Sequence, residues 1–380
     1  MTSKERMYAA IEGKKLDAWP VAAPYTMLSN ADHWEELTGL PAWKYFEWLY
    51  SPDLSRHKEI YELFYSMQPF DIAEPFFCAG HDERINTTIK FIGGKPFFYD
   101  KRNGSTRPVP DSIHNTGSGG GENETRYVFD KADAREHIKP RTAQQMTDDG
   151  GLASLDELIK AFGGTRFIIG GSVINTFYSN AYHVGMTNLY VMLHEEPELV
   201  KYISGLVLEQ NIEIIRMFAS ADIDAIFIDD ATATCDMISR GMYEEFSLPY
   251  LIPQVNEIKR LGKKAMLTYF GGIADRADLI ADTGADILTM ECSMKGYVND
   301  YAAVSKKIKG MCLAGNLNPY DHIEIASDEL LAEKIKGMVA AGAEYGKYFT
   351  STGSPLTPNT PVSRIQRYIE LARAPRDKQA

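Results

Sequence analysis

From about residue 160 to the end of the chain, short apolar runs alternate with longer amphipathic ones, and no other feature narrows the fold as far. Such alternation is the mark of repeated strand–helix units around a parallel sheet. Six strand candidates stand out, at 166–170, 224–228, 264–267, 286–290, 310–314 and 345–349. Between them lie helical stretches such as 197–218, where Leu199, Tyr202, Ile203, Leu206, Ile214 and Met217 fall near one face and a proline sits at the start. Small residues lead into three of the strands: Ala-Ser-Ala-Asp-Ile, Asp-Thr-Gly-Ala-Asp and Ala-Ala-Gly-Ala-Glu. They let a helix end and the chain turn tightly into a buried strand, which favours a closed barrel over a doubly wound sheet.

The first 150 residues are less regular. Residues 21–25 read as a first barrel strand and 70–78 as a second, while 87–99, with Gly93-Gly94 at its centre, reads as a hairpin. The expected fold is therefore α/β: a TIM (β/α)8 barrel with N-terminal helical and hairpin additions, one domain over 1–380 whose residues 1–150 carry the irregular elaborations. The glycine-rich run 116–122 lacks the Gly-Lys-Ser/Thr of a phosphate-cradling loop and reads as a flexible connection.

Composition removes several function classes. A formal net charge of -12, with no segregated basic patch, argues against a nucleic-acid partner. Cys78, Cys235, Cys292 and Cys312 form no CxxC pair, so neither a zinc ribbon nor a disulfide framework is expected and a reduced cytoplasmic setting is favoured. The opening residues lack the apolar core of a signal peptide, and no run approaches the ~18 residues of a membrane helix, so a soluble protein with no membrane partner is expected.

In a parallel barrel the loops after the strands build the site, and here they are polar. The candidate strands run into Asp229-Asp230, Thr268-Tyr269, Glu291-Cys292, Asn316 and the segment ending at Ser354; the first is followed by Ser172, Asn175, Tyr178, Asn180, Tyr182 and His183. An aspartate abutting a buried strand, one of the pair pointing into the barrel mouth, gains a pKa high enough to act as an acid near neutral pH; a helix N-cap or an arginine partner is the competing role. Glu291 is read as a site residue, Cys292 as a small apolar residue facing the helices, and His183 equally as catalytic or as a satisfied loop histidine. The remaining histidines form no HxxxH or HExxH cluster, so no metal ligand is assigned.

Several stretches together carry a resemblance: Met1 to Met7, Asp17 to Pro20, Ile228-Asp-Asp230, Met237 to Tyr250, Gly315-Asn-Leu-Asn-Pro319 and Gly353 to Pro361. Their order resembles the uroporphyrinogen decarboxylase superfamily, and specifically its corrinoid-dependent methyltransferase branch. The resemblance implies a TIM barrel. It does not extend to the decarboxylase's arginine-rich N-terminal signature, which has no counterpart here. Methyltransferases of this family that alkylate coenzyme M carry a His-x-Cys motif and a late cysteine, at positions occupied here by Thr268, Phe270 and Ser354. Neither phenylalanine nor a neutral hydroxyl replaces a thiolate or imidazole on zinc, so the usual zinc ligands are absent, although some relatives build a zinc site from Glu and His.

What the resemblance then implies is the donor half-reaction: an O-demethylase component takes the methyl group of a small methoxylated, aromatic donor and passes it to the cob(I)alamin of a separate corrinoid protein. On that reading Asp230 or Glu291, with His183 behind them, protonates the leaving oxygen. Tyr25, Tyr178 and Tyr269 supply hydrogen bonds, Tyr25, Phe76, Phe77 and Phe177 form a slot for the ring, and Asp229, Asn180, Thr268, Asn316 and Ser354 complete the donor contacts. The partners are the corrinoid protein and the small-molecule donor, with a homodimer allowed. Competing readings are a decarboxylase or other lyase on a small carboxylated substrate, a methylamine or methyl thioether:corrinoid methyltransferase, and a non-catalytic binding protein.

Overall fold

A computed structural model describes residues 1–76, 78–110, 125–294, 296–308 and 310–373. Eight parallel strands form one sheet: β1 (Val21–Ala22), β2 (Ile72–Ala73), β6 (Phe167–Ile174), β7 (Ala225–Asp230), β8 (Lys264–Tyr269), β9 (Ile287–Met290), β10 (Cys312–Ala314) and β11 (Tyr348–Ser351), in the order β1-β11-β10-β9-β8-β7-β6-β2. Helices follow the strands and cover the outside, so strands such as β7 and β9 are buried along their whole length. This is the TIM barrel expected from the alternation.

The ring closes between β1 and β2. The Asp71 N–H donates to the Val21 carbonyl at 2.8 Å, and the fully buried Asp71 carboxylate accepts the Val21 N–H at 2.8 Å, Arg6 at 2.7 Å and Arg373 at 2.7 Å. Arg6 lies on the first helix (Ser3–Glu12) and Arg373 caps the last (Val362–Ala372), so both flanking helices are tied to one seam.

All six expected strands of the regular half are present, but four of them run further toward their C-terminal ends than the apolar runs suggest. The ladder is a backbone structure: Asp229 pairs with Thr268 and Asp230 with Tyr269 although neither aspartate is apolar. The two early strands are only two residues long each, shorter than expected. The hairpin forms as read, β3 (Thr87–Ile92) against β4 (Lys95–Asp100), its turn made by Gly93 and Gly94 at φ 58° and 79°, where a side chain would be strained. A third strand, β5 (Thr106–Pro108), joins it and was not expected.

Phe76 does not reach the barrel mouth. It stacks on Tyr61 at 4.3 Å and packs edge-on to Tyr45 and His57 among the N-terminal helices, a core position. Phe77 and the glycine-rich run 116–122 lie outside the described residues. Among the described residues no helix is long and apolar enough to cross a membrane.

Candidate functional site

Alternation along β7 sends its two terminal aspartates to opposite sides. Phe227 and Asp229 face the interior, where the Tyr25 ring meets Phe227 edge-on at 5.2 Å and the Tyr25 hydroxyl donates to Asp229 Oδ2 at 2.5 Å. Asp230 faces the helices. Its Oδ1 accepts from Asn175 Nδ2 at 2.7 Å and its Oδ2 from the Tyr243 hydroxyl at 2.8 Å, and Asn175 continues to Ser247 Oγ at 2.9 Å. The network runs on through Gln254, Thr176 and Asn211, all buried.

The two carboxyls are consequently partnered differently. Burial pushes Asp229 up to about 7, the Tyr25 hydrogen bond opposing and the Asp230 charge adding to the rise, while Oδ1 is buried with no hydrogen-bond partner. Burial pushes Asp230 up to about 6 against the bonds from Asn175 and Tyr243, and both of its oxygens are satisfied. A carboxyl with one unmet oxygen is the better placed to exchange a proton with a ligand.

Tyr25 is the only described non-glycine residue with positive φ, at 55°, at the N-cap of the short helix Thr26–Asp32. Holding a tyrosine there costs about 1–3 kcal/mol, a strain typical of functional sites. One anchor is Glu74, just past β2: its Oε2 accepts the Thr26 N–H at 3.0 Å and the Thr26 hydroxyl at 3.2 Å, and burial pushes it up to about 7 against those bonds. Glu74 and Tyr25 line a narrow crevice with Phe227, Met27 and Ile169 whose free space is only about 10 Å³. Glu74 escaped the sequence reading; its signal was the rule that picked Asp229, an acid directly after a strand.

Phe270, after β8, stacks on Tyr25 at 5.9 Å, and Tyr178 stacks on Tyr182 at 5.7 Å within electrostatic reach of Asp229 and Tyr25. Thr268 faces inward beside Asp229, whereas Tyr269 points outward to the Ala233 carbonyl at 3.3 Å and the Tyr243 ring. A second acidic group forms past β9. Glu291 accepts from the Tyr297 hydroxyl and from Ser354 Oγ at 3.4 Å, its carbonyl accepts from Asn299 at 3.0 Å and Asn316 at 3.2 Å, and Cys292 Sγ lies 3.7 Å from Ser354 Oγ. A Cβ on Gly353 would stand 2.2 Å from the Cys292 nitrogen, so only glycine lets the loops after β9 and β11 meet. Tyr297 and Asn299 went unread because they sit in a loop without pattern.

Other expected site residues are placed apart from this opening. His183 stands edge-on to His137 at 5.4 Å, burial beside His137 pushes it down to about 4, and it lines a cavity with Val207 and Gln210 between outer helices. Phe177 is fully buried against Tyr190, and Asn180 donates to Ser204 at 2.7 Å on the helix Pro197–Ala219. The helix Thr176–Val184 carries all three away from the strand end that precedes it. Arg276, a fully buried cation near the site, spends its donors on the Ala233 and Ile238 carbonyls and on Asp275.

The uroporphyrinogen decarboxylase family model matches residues 124–375, from before β6 to past the last helix. The chain belongs to that family. Family members in both functional classes are similar to it: the methylcobamide:CoM methyltransferase MtbA of Methanosarcina acetivorans, 23% identical over 60% of this chain and 65% of the relative, and the uroporphyrinogen decarboxylase of Aquifex aeolicus, 23% identical over 48% and 52%. The match thus spans less than two thirds of these family members. A solved methyltransferase from Methanosarcina mazei superposes with a TM-score of 0.65 over 98% of both chains at 14% identity, a likeness of fold.

Zinc, the metal that the resemblance brings to mind, does not fit the donor set. Thr268 offers a neutral hydroxyl, Phe270 a ring already stacked on Tyr25, and Ser354 a hydroxyl turned to Glu291. Among the described residues no three His, Cys, Asp or Glu side chains converge as a metal site.

Proposed function

We propose that this family member is a methyltransferase that takes the methyl group of a small methoxylated aromatic donor and passes it to the cob(I)alamin of a separate corrinoid protein. The observation that carries the reading is Asp229 Oδ1: a buried, unpartnered carboxyl oxygen beside the Tyr25, Phe227 and Phe270 rings. Those rings suit a flat apolar donor. The similarity to MtbA supports corrinoid chemistry, and the non-ligating residues at 268, 270 and 354 favour the donor side over a thiol acceptor.

The bond that breaks is O–CH3. Its electron pair stays on oxygen, which takes a proton from Asp229, and the methyl group passes to cobalt, the co-substrate supplying the nucleophile. The Tyr25 hydroxyl holds the second oxygen of Asp229 and fixes its direction, so that the carboxyl meets the leaving group already aimed. Glu291 is the second acid in reach of the opening, with Tyr297 and Ser354 as company. Asp230 and His183, the other acids read from the sequence, are better suited to bracing β7 and the outer helices. No arginine is free to grip a carboxylated substrate among the described residues lining the opening, which weighs against a decarboxylase.

The test is to incubate the protein with cob(I)alamin and a panel of methoxyarenes, methylamines and methyl thioethers, following loss of the cobalt(I) absorption. Loss with methoxyarenes alone is expected. Turnover of none of the panel would sink the reading, and turnover of the amines or thioethers alone would move it to another donor.

A further inference from the structure

Apart from the barrel mouth, a cleft of about 450 Å³ lies between the helices Thr176–Val184 and Pro197–Ala219, the end of β6 and residues 137–139. That volume falls within the roughly 300–1,000 Å³ of small-molecule sites. Its outer wall is fixed at both ends to the long helix. On one side Arg126 makes two hydrogen bonds to Glu196, at 2.8 and 2.7 Å. On the other, the Arg141 N–H donates to Gln210 Oε1 at 2.7 Å and the Ala143 N–H to Glu213 Oε2 at 2.8 Å. Between these ties the Tyr127 N–H donates to the His183 carbonyl at 3.0 Å and the Tyr127 ring stacks on His137 at 5.2 Å. The gap is therefore framed by pinned elements.

The charge of the lining is the decisive observation. Lys139, His137 and His183 line the cleft and no aspartate or glutamate does, in a chain with 52 acidic residues against 40 lysines and arginines. Clefts of similar size elsewhere mix the signs, with Glu333 beside Lys334 in one and Glu370 beside Arg373 in another. The His183 Nδ1 is buried with no hydrogen-bond partner. A half-turn about the Cβ–Cγ bond carries that nitrogen to the opposite edge of the ring within the same volume, so the ring can offer it to a ligand. Burial and His137 push His183 down to about 4, which keeps it neutral at ordinary pH. Lys139 thus supplies the charge and His183 a hydrogen bond. The rest of the lining is apolar where Ile138, Val173, Val207 and Ile214 meet, with the Tyr182 ring beside them.

We propose that this cleft is a second ligand site, which takes an aromatic monocarboxylate with its acid group at Lys139 and His183 and its ring against Ile138, Val173, Val207 and Ile214. An anion is favoured because no lining carboxylate repels it, and a flat apolar body because the aliphatic side chains and rings leave it little else to meet. The site is separate from the Asp229 opening, and the inference does not depend on the methyl-transfer reading.

The experiment titrates the full chain with 2-naphthoate and with 2-naphthamide, which keeps the shape and loses the charge. Binding is read by calorimetry and by the imidazole Cε1–H signals of His137 and His183 in NMR spectra. Naphthoate is expected to bind with a Kd of about 1 mM or below. It should bind about tenfold more tightly than the amide and shift both imidazole signals. Lys139 is exposed, so Lys139→Gln leaves the fold alone, and it should bring the two affinities together. Lys131→Gln, on the same segment but over the Tyr202 ring, should change nothing. No binding of naphthoate at about ten times that concentration would overturn the inference, as would equal affinity for the two compounds. So would a preference that survives Lys139→Gln or falls equally with Lys131→Gln. Binding that leaves both imidazole signals unmoved would place the ligand elsewhere on the molecule and overturn it too.

Discussion

The inner and outer faces of β7 start from the same residue type and reach opposite ends. On the outer face Asp230 sits in a buried network where each of its oxygens has a donor. On the inner face Asp229 has one partner, an unmet oxygen and aromatic neighbours. A satisfied buried carboxyl braces a structure, because every unmet group would cost stability; an unsatisfied one at a barrel mouth retains that cost for what it does with a ligand.

The sharpest way to break the comparison is to neutralise each aspartate in turn. Asp229→Asn should lower kcat by about 10²–10⁴ in the cob(I)alamin assay, the usual worth of a general acid, with an unchanged circular dichroism spectrum. Wild-type turnover would end the distinction between the faces. At the seam, Asp71→Asn removes a buried carboxylate from Arg6 and Arg373 and should cost about 3 kcal/mol in denaturant unfolding. Asp230→Asn should cost about 1–3 kcal/mol by turning acceptors toward donors, leaving kcat within a few-fold. A large loss of turnover at unchanged stability would put Asp230 back among the acids.

The smallest effect is on pH. The folded values of Asp229 and Glu74, about 7, and of Asp230, about 6, lie above the ordinary carboxyl range, so the folded chain holds more protons than the unfolded one between about pH 4 and 7. Their stabilising contribution is complete below that window and is lost as pH rises through it. Asp229→Asn should flatten the corresponding fall in stability measured by thermal melts from pH 5 to 8. Turnover that depends on protonated Asp229 should likewise decline above about pH 7.

The strands were legible because buried parallel strands are continuous apolar runs, and the polar residues after them marked the opening. The same continuity hid the parity: with Ala225 to Ile228 apolar on both faces, nothing in the letters says which of Asp229 and Asp230 turns inward. His183, Phe177 and Asn180 follow β6 in the chain, but a helix turns them outward, and spacing from a strand end does not encode that turn. Glu74 lies directly after a strand of two residues, but the aromatic and apolar cluster 70–78 reads as a strand running through it, which hid the strand end that the acid follows.

The clasp on Asp71 makes closure a whole-chain event. One of its two arginines lies 65 residues before the carboxylate and the other 302 after it. The second of those charges therefore reaches the seam only from the far end of the chain, after every strand of the barrel has been laid down.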